Sequence, residues 1–251
     1  MKNQYSLNIA WLYPELMNTY GDRGNIICII RRCEQRKIEC AVNELNVGFK
    51  PTELEKSDFI FMGGAQDRQQ QIVVKDLFEK SKVLKKTIDS GKPGLYICGA
   101  YQFLGKYYKE ADGTVINGLG IIDLYTESPG FNIQRLIGNV AVKTSISEEI
   151  LIGFENHGGR TYLGKDVMPL GKVIAGNGNN GMDKTEGAIH KNSYCSYLHG
   201  PILPKNPLFA DFLVTLALEK KYSKKITLPT LDDILENQAR KAIASKLNVK
   251  V

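Results

Sequence analysis

The run Phe59-Ile-Phe-Met62, four apolar residues closed by Gly63-Gly64, restricts the fold more than any other stretch of the chain. Four consecutive apolar residues leave no polar face for solvent, so as a strand they must be covered on both sides. Leu95 to Ile97 repeats the pattern and stops at Cys98-Gly99. Strands buried on both faces belong to parallel sheets, whose crossovers return through helices packed above and below. The intervening sequence supplies such helices. Asn25 to Arg36 is apolar with helical period, and Ile72 to Asp89 carries apolar residues at 73, 74, 77, 84 and 88 among lysines and acids. Leu7 to Tyr13 and Ile38 to Leu45 read as two more strands, so strand and helix alternate through the first half. With 43% hydrophobic residues among 251, the chain can bury a large α/β core.

Beyond Gly118-Leu-Gly120 the sequence turns strand-rich. Phe131 to Thr144 and Ile150 to Phe154 read as strands, with turn signals at 147–149 and 169–171. Lys172 to Ala175 and Gly187 to Lys191 flank the turn residues of 176–181, which predicts a hairpin with a long polar loop. Tyr194 to Leu198 is a strand that ends at His199, and Asn206 to Lys220 is a helix with lysines at its C-terminal end. Residues 228–251 begin acidic and become basic, as a charged terminal helix does. No linker is evident, so one domain with a C-terminal extension is expected.

Charge and cysteine usage narrow the function. The formal charge of +6 comes from 33 basic and 27 acidic residues scattered along the chain. No basic stripe interleaves with stacking aromatics, which argues against a nucleic-acid partner. Five cysteines without a CxxC pair, and no N-terminal leader pattern, read as a reduced cytoplasmic protein. Cys28, Cys33 and Cys40 are close together, but the three histidines are distant, so no metal site is expected. No apolar run approaches the ~20 residues that span a bilayer, so no membrane insertion is expected.

Cys98 is the candidate nucleophile. A strand that stops at cysteine, followed by Gly99, Ala100 and a helical segment, makes a tight turn that exposes the thiol. The emerging helix N-terminus favours thiolate. A strand cysteine is more often a small buried hydrophobe, so other groups must converge on it. Gly63-Gly64 ends at the same C-terminal sheet edge, where ligands bind in open parallel sheets. The N–H groups of Gly64 and Gly99 are therefore expected to face an oxyanion on Cys98. Of the three histidines, His157 lies in a glycine-flanked turn and His190 inside a strand-like run, whereas His199 ends a strand before Gly200-Pro201. His199 is the favoured proton carrier.

Tyr96-Ile-Cys-Gly-Ala-Tyr-Gln102 resembles the nucleophile turn of class I, triad-type, glutamine amidotransferases, a pattern close to Gly-Ile-Cys-x-Gly-x-Gln. Four further stretches occur in the order of the cobyric-acid-synthase-like branch: 18–25 (NTYGDRGN), 63–67 (GGAQD), 153–161 (GFENHGGRT) and 197–204 (YLHGPILP). Within it the chain is most similar to glutaminase subunits of lipid II isoglutaminyl synthases. The resemblance spans roughly residues 7–229. It implies a flavodoxin-like α/β fold with a mostly parallel central sheet and a strand-rich second half. It also implies an amidotransferase domain at 1–221, with 222–251 as a helical extension.

The resemblance implies hydrolysis of glutamine through a Cys98 thioester, with His199 as acid and base, and Arg135 and Gln102 as substrate-binding residues. No cofactor is implied in this chain. ATP and magnesium are expected in a Mur-ligase-like synthetase partner of a heterodimer, which would use the ammonia to amidate the D-glutamate α-carboxyl of the lipid II stem peptide in peptidoglycan synthesis. Two other readings stay open: a corrin amidase subunit, and a non-catalytic glutamine-sensing module. Three departures stand out. His199 is followed by Gly200-Pro201 where relatives carry His-x-Glu, so an orienting acid must come from elsewhere in the chain or from the partner. Ala65 and Ala100 replace glycines, and the bulky Tyr96 stands where a small residue is usual.

Overall fold

The computed structural model describes residues 5–65, 67–147 and 149–251, so Gln66 of the Gly63–Asp67 stretch and Glu148 of the 147–149 turn lie outside the described residues. From the N-terminus, β1 (Tyr5–Leu12) leads through a polar loop into α1 (Arg23–Gln35) and β2 (Ile38–Leu45). The short α2 (Pro51–Glu55) precedes β3 (Phe59–Met62), which is followed by α3 (Asp67–Glu79) and α4 (Ser81–Asp89). Next, β4 (Gly94–Ile97) hands over to α5 (Gly99–Leu104). These strands form one side of a six-stranded sheet, with β2 at its edge. All four residues of β3 and all four of β4 are buried, as their uninterrupted apolar runs require. Burying each large side chain contributes about 1.5–3 kcal/mol.

The second half consists of β5 (Tyr107–Lys109), β6 (Val115–Asn117), β7 (Leu124–Glu127), β8 (Leu136–Thr144), β9 (Ile150–His157), β10 (Arg160–Leu163), β11 (Gly171–Ala175), β12 (Thr185–Glu186), β13 (Ala188–His190) and β14 (Ser193–Ser196), then α6 (Pro207–Tyr222) and α7 (Ile234–Lys246). The central sheet has the order β13-β14-β4-β3-β1-β2. Only β13, at one edge, is antiparallel. Two four-stranded sheets, β10-β7-β5-β6 and β12-β11-β8-β9, complete the fold. This is the mostly parallel, helix-flanked architecture expected. Among the described residues, no helix is long and apolar enough to cross a membrane.

Two expectations need correction. The helix read as Ile72 to Asp89 is two helices, broken at Lys80 (φ −101°, ψ 1°). There the Lys80 ammonium turns inward onto Asp76, 2.6 Å away, and Asp76 also accepts from the Tyr13 hydroxyl at 2.8 Å and Gly48 N–H at 2.9 Å. A buried carboxylate with three donors decides the helix boundary, which periodicity does not record. The expected hairpin of 172–191 is also divided. β11 pairs with β12, but Gly187, at φ +62°, turns the chain so that β13 pairs with β14 of the central sheet.

Residues after 222 are held on the core by ion pairs. Arg32 on α1 donates to Asp211 on α6 (2.6 and 2.8 Å) and to Asp233 just before α7 (2.6 and 3.1 Å). Arg240 of α7 donates to the Ile150 carbonyl at 2.6 Å and sits 3.3 Å from Glu149. The Arg32 side chain is only 5% exposed, so removing it takes Asp233 out of its buried ion pair and leaves Asp211 to Arg36, 2.6 Å away. Arg32→Ala is therefore expected to lower stability by about 3 kcal/mol in urea unfolding, and to loosen α7 as seen by amide exchange.

Candidate active site

The loop between β1 and α1 and the stretch after β14 are far apart in sequence, yet they lock together. Asp22, immediately before α1, faces His199 with its Oδ1 3.1 Å from Nδ1, and both residues are fully buried. Two residues on, Gly24 abuts Pro201, leaving no space for a Cβ. One further, the Asn25 side-chain carbonyl accepts from Leu203 N–H at 3.0 Å. Asp22, Gly24 and Asn25 thus read off His199, Pro201 and Leu203 in register. The other side of His199 is fixed by β9: Phe154 and His199 exchange two backbone hydrogen bonds, of 3.2 and 2.7 Å. The strand-rich half therefore positions the histidine, and the Tyr20 ring packs edge-on against it at 5.1 Å.

Cys98 lies at the opposite wall. Its N–H donates to Ser196 O at 2.9 Å, continuing the β4–β14 ladder, and then the backbone turns sharply to φ 52°, ψ −107°. A non-glycine residue there stores about 1–3 kcal/mol of strain, typical of a nucleophile presented between strand and helix. The unusual Tyr96 fits because its ring folds back over Gly94, where a Cβ would lie 2.7 Å from the ring. Side chains two apart on a strand share a face, so a glycine at 94 makes room for a tyrosine at 96.

Thiol and imidazole meet at Gly64. A Cβ on Gly64 would lie 2.9 Å from His199 Cε1, 3.1 Å from Cys98 Cβ and 3.4 Å from Asp22 Oδ2. Only a glycine leaves the three groups this close. Burial alone would push the imidazolium pKa down. The Asp22 carboxylate and the Cys98 sulfur oppose it, and His199 is pushed up to about 10. An imidazolium of this kind stabilises an adjacent thiolate. The Nε2 atom of His199 is buried without a well-formed hydrogen bond among the described residues, as a group kept for proton transfer would be.

The expected oxyanion donor Gly64 is corrected. Its N–H donates to Asp22 Oδ2 at 2.7 Å, and is occupied in holding the acid rather than facing the thiol. The next amide takes its place geometrically: Ala65 N lies 3.3 Å from where a Cβ of Gly99 would be. Gly99 opens α5, where backbone N–H groups have no intrahelical partner. Gln102 is buried, donating to the Tyr197 hydroxyl at 3.1 Å, with its carbonyl 3.5 Å from Gln70 Nε2. Its side chain is committed to the protein, which places it behind the site. Arg135 is exposed and held over the 156–159 turn by the side-chain and backbone carbonyls of Asn156, both at 3.0 Å.

The remaining histidines stand elsewhere. His157 ends β9, not a polar turn as its neighbours suggest, and stacks on Tyr197 at 3.7 Å. Its Nδ1 meets Gly159 O at 2.8 Å, and burial pushes its pKa down against the Glu155 carboxylate, 3.7 Å from Nε2. His190 on β13 lies 3.6 Å from Asp89. Asp22 was the residue that sequence reasoning missed. Its signal was the Gly21-Asp-Arg-Gly24 segment, a loop acid ahead of a helix, but nothing local ties it to His199.

The CobB/CobQ-like glutamine amidotransferase domain model matches residues 8–207. The chain is 43% identical over 234 residues to the lipid II isoglutaminyl synthase (glutamine-hydrolyzing) subunit GatD of Streptococcus pneumoniae (strain ATCC BAA-255 / R6), covering 93% of this chain and 89% of that one. It is 42% identical over 244 residues to the subunit of the same name from Staphylococcus aureus (strain N315), covering 97% of each. A probable cobyric acid synthase of Methanosphaera stadtmanae is 31% identical over 161 residues, covering 59% of this chain and 31% of that protein. A solved glutamine amidotransferase superposes with a TM-score of 0.58 at 16% identity, covering 83% of this chain and 98% of that one, which shows a shared fold.

Linkage makes the Asp22–His199 pair visible in stability. Because the folded pKa of His199 is raised from 6.5 to about 10, the charged pair contributes fully below pH 6.5, and its contribution is lost as pH rises through about 10. Urea unfolding of wild type and Asp22→Asn between pH 5.5 and 10.5 should show the widest gap at the acid end, narrowing toward the alkaline end.

Proposed function

The chain belongs to the CobB/CobQ-like glutamine amidotransferase family, and we propose that it is the glutamine-hydrolysing subunit of a lipid II isoglutaminyl synthase. The observation that carries the chemistry is the buried Asp22–His199 pair beside a cysteine held in a strained turn. In this reading Cys98 attacks the carboxamide carbon of glutamine as a thiolate while His199 holds the proton. The carbonyl electron pair moves to oxygen, and the N–H groups of Gly99 and Ala65 stabilise that oxyanion. His199 then passes its proton to the nitrogen, ammonia leaves, and a γ-glutamyl thioester remains on Cys98. A water deprotonated by His199 attacks the thioester, releasing glutamate and restoring the thiolate–imidazolium pair. Asp22 keeps Nδ1 engaged, so that Nε2 carries the proton traffic. Arg135 is assigned the α-carboxylate of glutamine, which a guanidinium grips with two parallel N–H donors.

As a subunit, the chain hands its ammonia to a separate synthetase. We assign that partner to the Mur-ligase type, using ATP and Mg²⁺ to activate the D-glutamate α-carboxyl of the lipid-linked stem peptide, and we place the reaction in the cytoplasm. The extent of the two GatD matches along this chain, against a partial match to cobyric acid synthase, supports this over a corrin amidase.

Incubation with 6-diazo-5-oxo-norleucine is expected to label Cys98 alone among the five cysteines, and Cys98→Ala to release no ammonia from glutamine. No labelling with the partner present would instead support a glutamine-sensing module. Asp22→Asn should lower kcat by at least about 100-fold. It should also move the alkaline limb of the pH–rate profile to lower pH, since removing the carboxylate charge lets burial depress the His199 pKa.

A further inference from the structure

We propose that Gln70 is a positioning residue for the oxyanion site, fixing the backbone of Ala65 against that of Gly99; the inference rests on the glutaminase reading above. Gln70, on α3, is 2% exposed and makes no contribution to the chemistry described so far. Its Nε2 donates to Ala65 O at 3.0 Å and lies 3.0 Å from where a Cβ of Gly99 would be. The carboxamide is thus wedged between the two segments whose N–H groups are assigned to the oxyanion.

Ala65 is held on three sides. Gly64 N–H is tied to Asp22, and Gly64 O accepts from Thr19 N–H at 3.1 Å. Because a trans peptide directs its C=O and N–H oppositely, the Thr19 contact turns Ala65 N–H away from Thr19. Gln70 then fixes the following carbonyl. That bond restrains rotation about the Ala65 Cα–C bond just before the chain enters α3.

The orientation of the carboxamide is set by chemistry. Turned over, it would point its Oε1 at Ala65 O, and two acceptors repel. In the orientation adopted, Oε1 is buried without a hydrogen-bond partner among the described residues, so the side chain gives up an acceptor to keep the donor on Ala65. From behind, Gln102 Oε1 lies 3.5 Å from Nε2, and Gln102 is itself anchored on Tyr197. The Tyr197 hydroxyl meets Thr161 Oγ1 at 2.6 Å, and Thr161 meets Thr126 at 2.7 Å. The chain of contacts ends in the β10–β7 pair, a rigid support for a residue that sets a distance.

The test compares Gln70→Met, which keeps the bulk but loses the donor, with wild type, using the full chain combined with its synthetase subunit. Glutamine hydrolysis is expected to lose kcat on the order of 10- to 100-fold with KM little changed, as for misplacement of groups that act in the transition state. Alkylation of Cys98 by iodoacetamide, which builds no oxyanion on the enzyme, should keep its rate and pH profile. The near-isosteric Gln70→Glu, with an acceptor facing Ala65 O, should lose as much or more. Wild-type kcat in Gln70→Met overturns the proposal. So does a parallel loss of alkylation, which would mean that Gln70 merely supports the thiolate–imidazolium pair. If wild type itself neither hydrolyses glutamine nor reacts with 6-diazo-5-oxo-norleucine, the glutaminase reading fails first and takes the positioning role with it.

Discussion

The contact between Asp22 and His199 is the constraint on which the rest of the site depends. A carboxylate and an imidazole, both fully buried, have no water to replace either partner. Separating them would leave an unpaired charge in the interior, which is far more costly than the pair itself. The loop before α1 and the segment after β14 must therefore close on each other in one register, and Gly24 against Pro201 and Asn25 against Leu203 enforce it. The pairing also sets the electrostatics, since the same carboxylate raises the His199 pKa against the opposing effect of burial.

Three consecutive residues after β3 do different work for this contact. Gly63 lets the backbone pass Met17 O and the Asp22 side chain, where a Cβ would collide. Gly64 gives its N–H to Asp22 and leaves its missing Cβ as the space shared by thiol and imidazole. Ala65 brings its N to within 3.3 Å of where a Cβ of Gly99 would lie. An alanine is accommodated at 65 because it lies one step beyond the crowded pair. The glycine doublet is thus explained by the approach of an acid, and the oxyanion assignment moves one residue along the chain.

Much of the fold was legible because it is written locally. The limits of β2 and β3 follow from the sequence residue for residue, and Cys98 between a buried apolar strand and a small-residue helix start was identifiable as a turn. Features that failed share a cause. The break at Lys80 depends on Asp76, Tyr13 and Gly48, contributed by separate elements, and the departure of β13 from its expected hairpin depends on a place beside β14. Helical period and turn residues report how a segment prefers to bend. They carry no record of which buried group waits for it.

The same division runs through the site. The residue types and their order along the chain singled out Cys98 and His199 as the candidate reactive pair and a parallel sheet edge as their place. Only the tertiary structure brought Asp22 of this chain onto His199 and turned the Gly64 N–H onto that acid. The physical reason is distance along the backbone. Asp22 and His199 are 177 residues apart, and their meeting is enforced by two strands of one parallel sheet and by the β9 bridge at Phe154, none of which leaves a signature next to either residue.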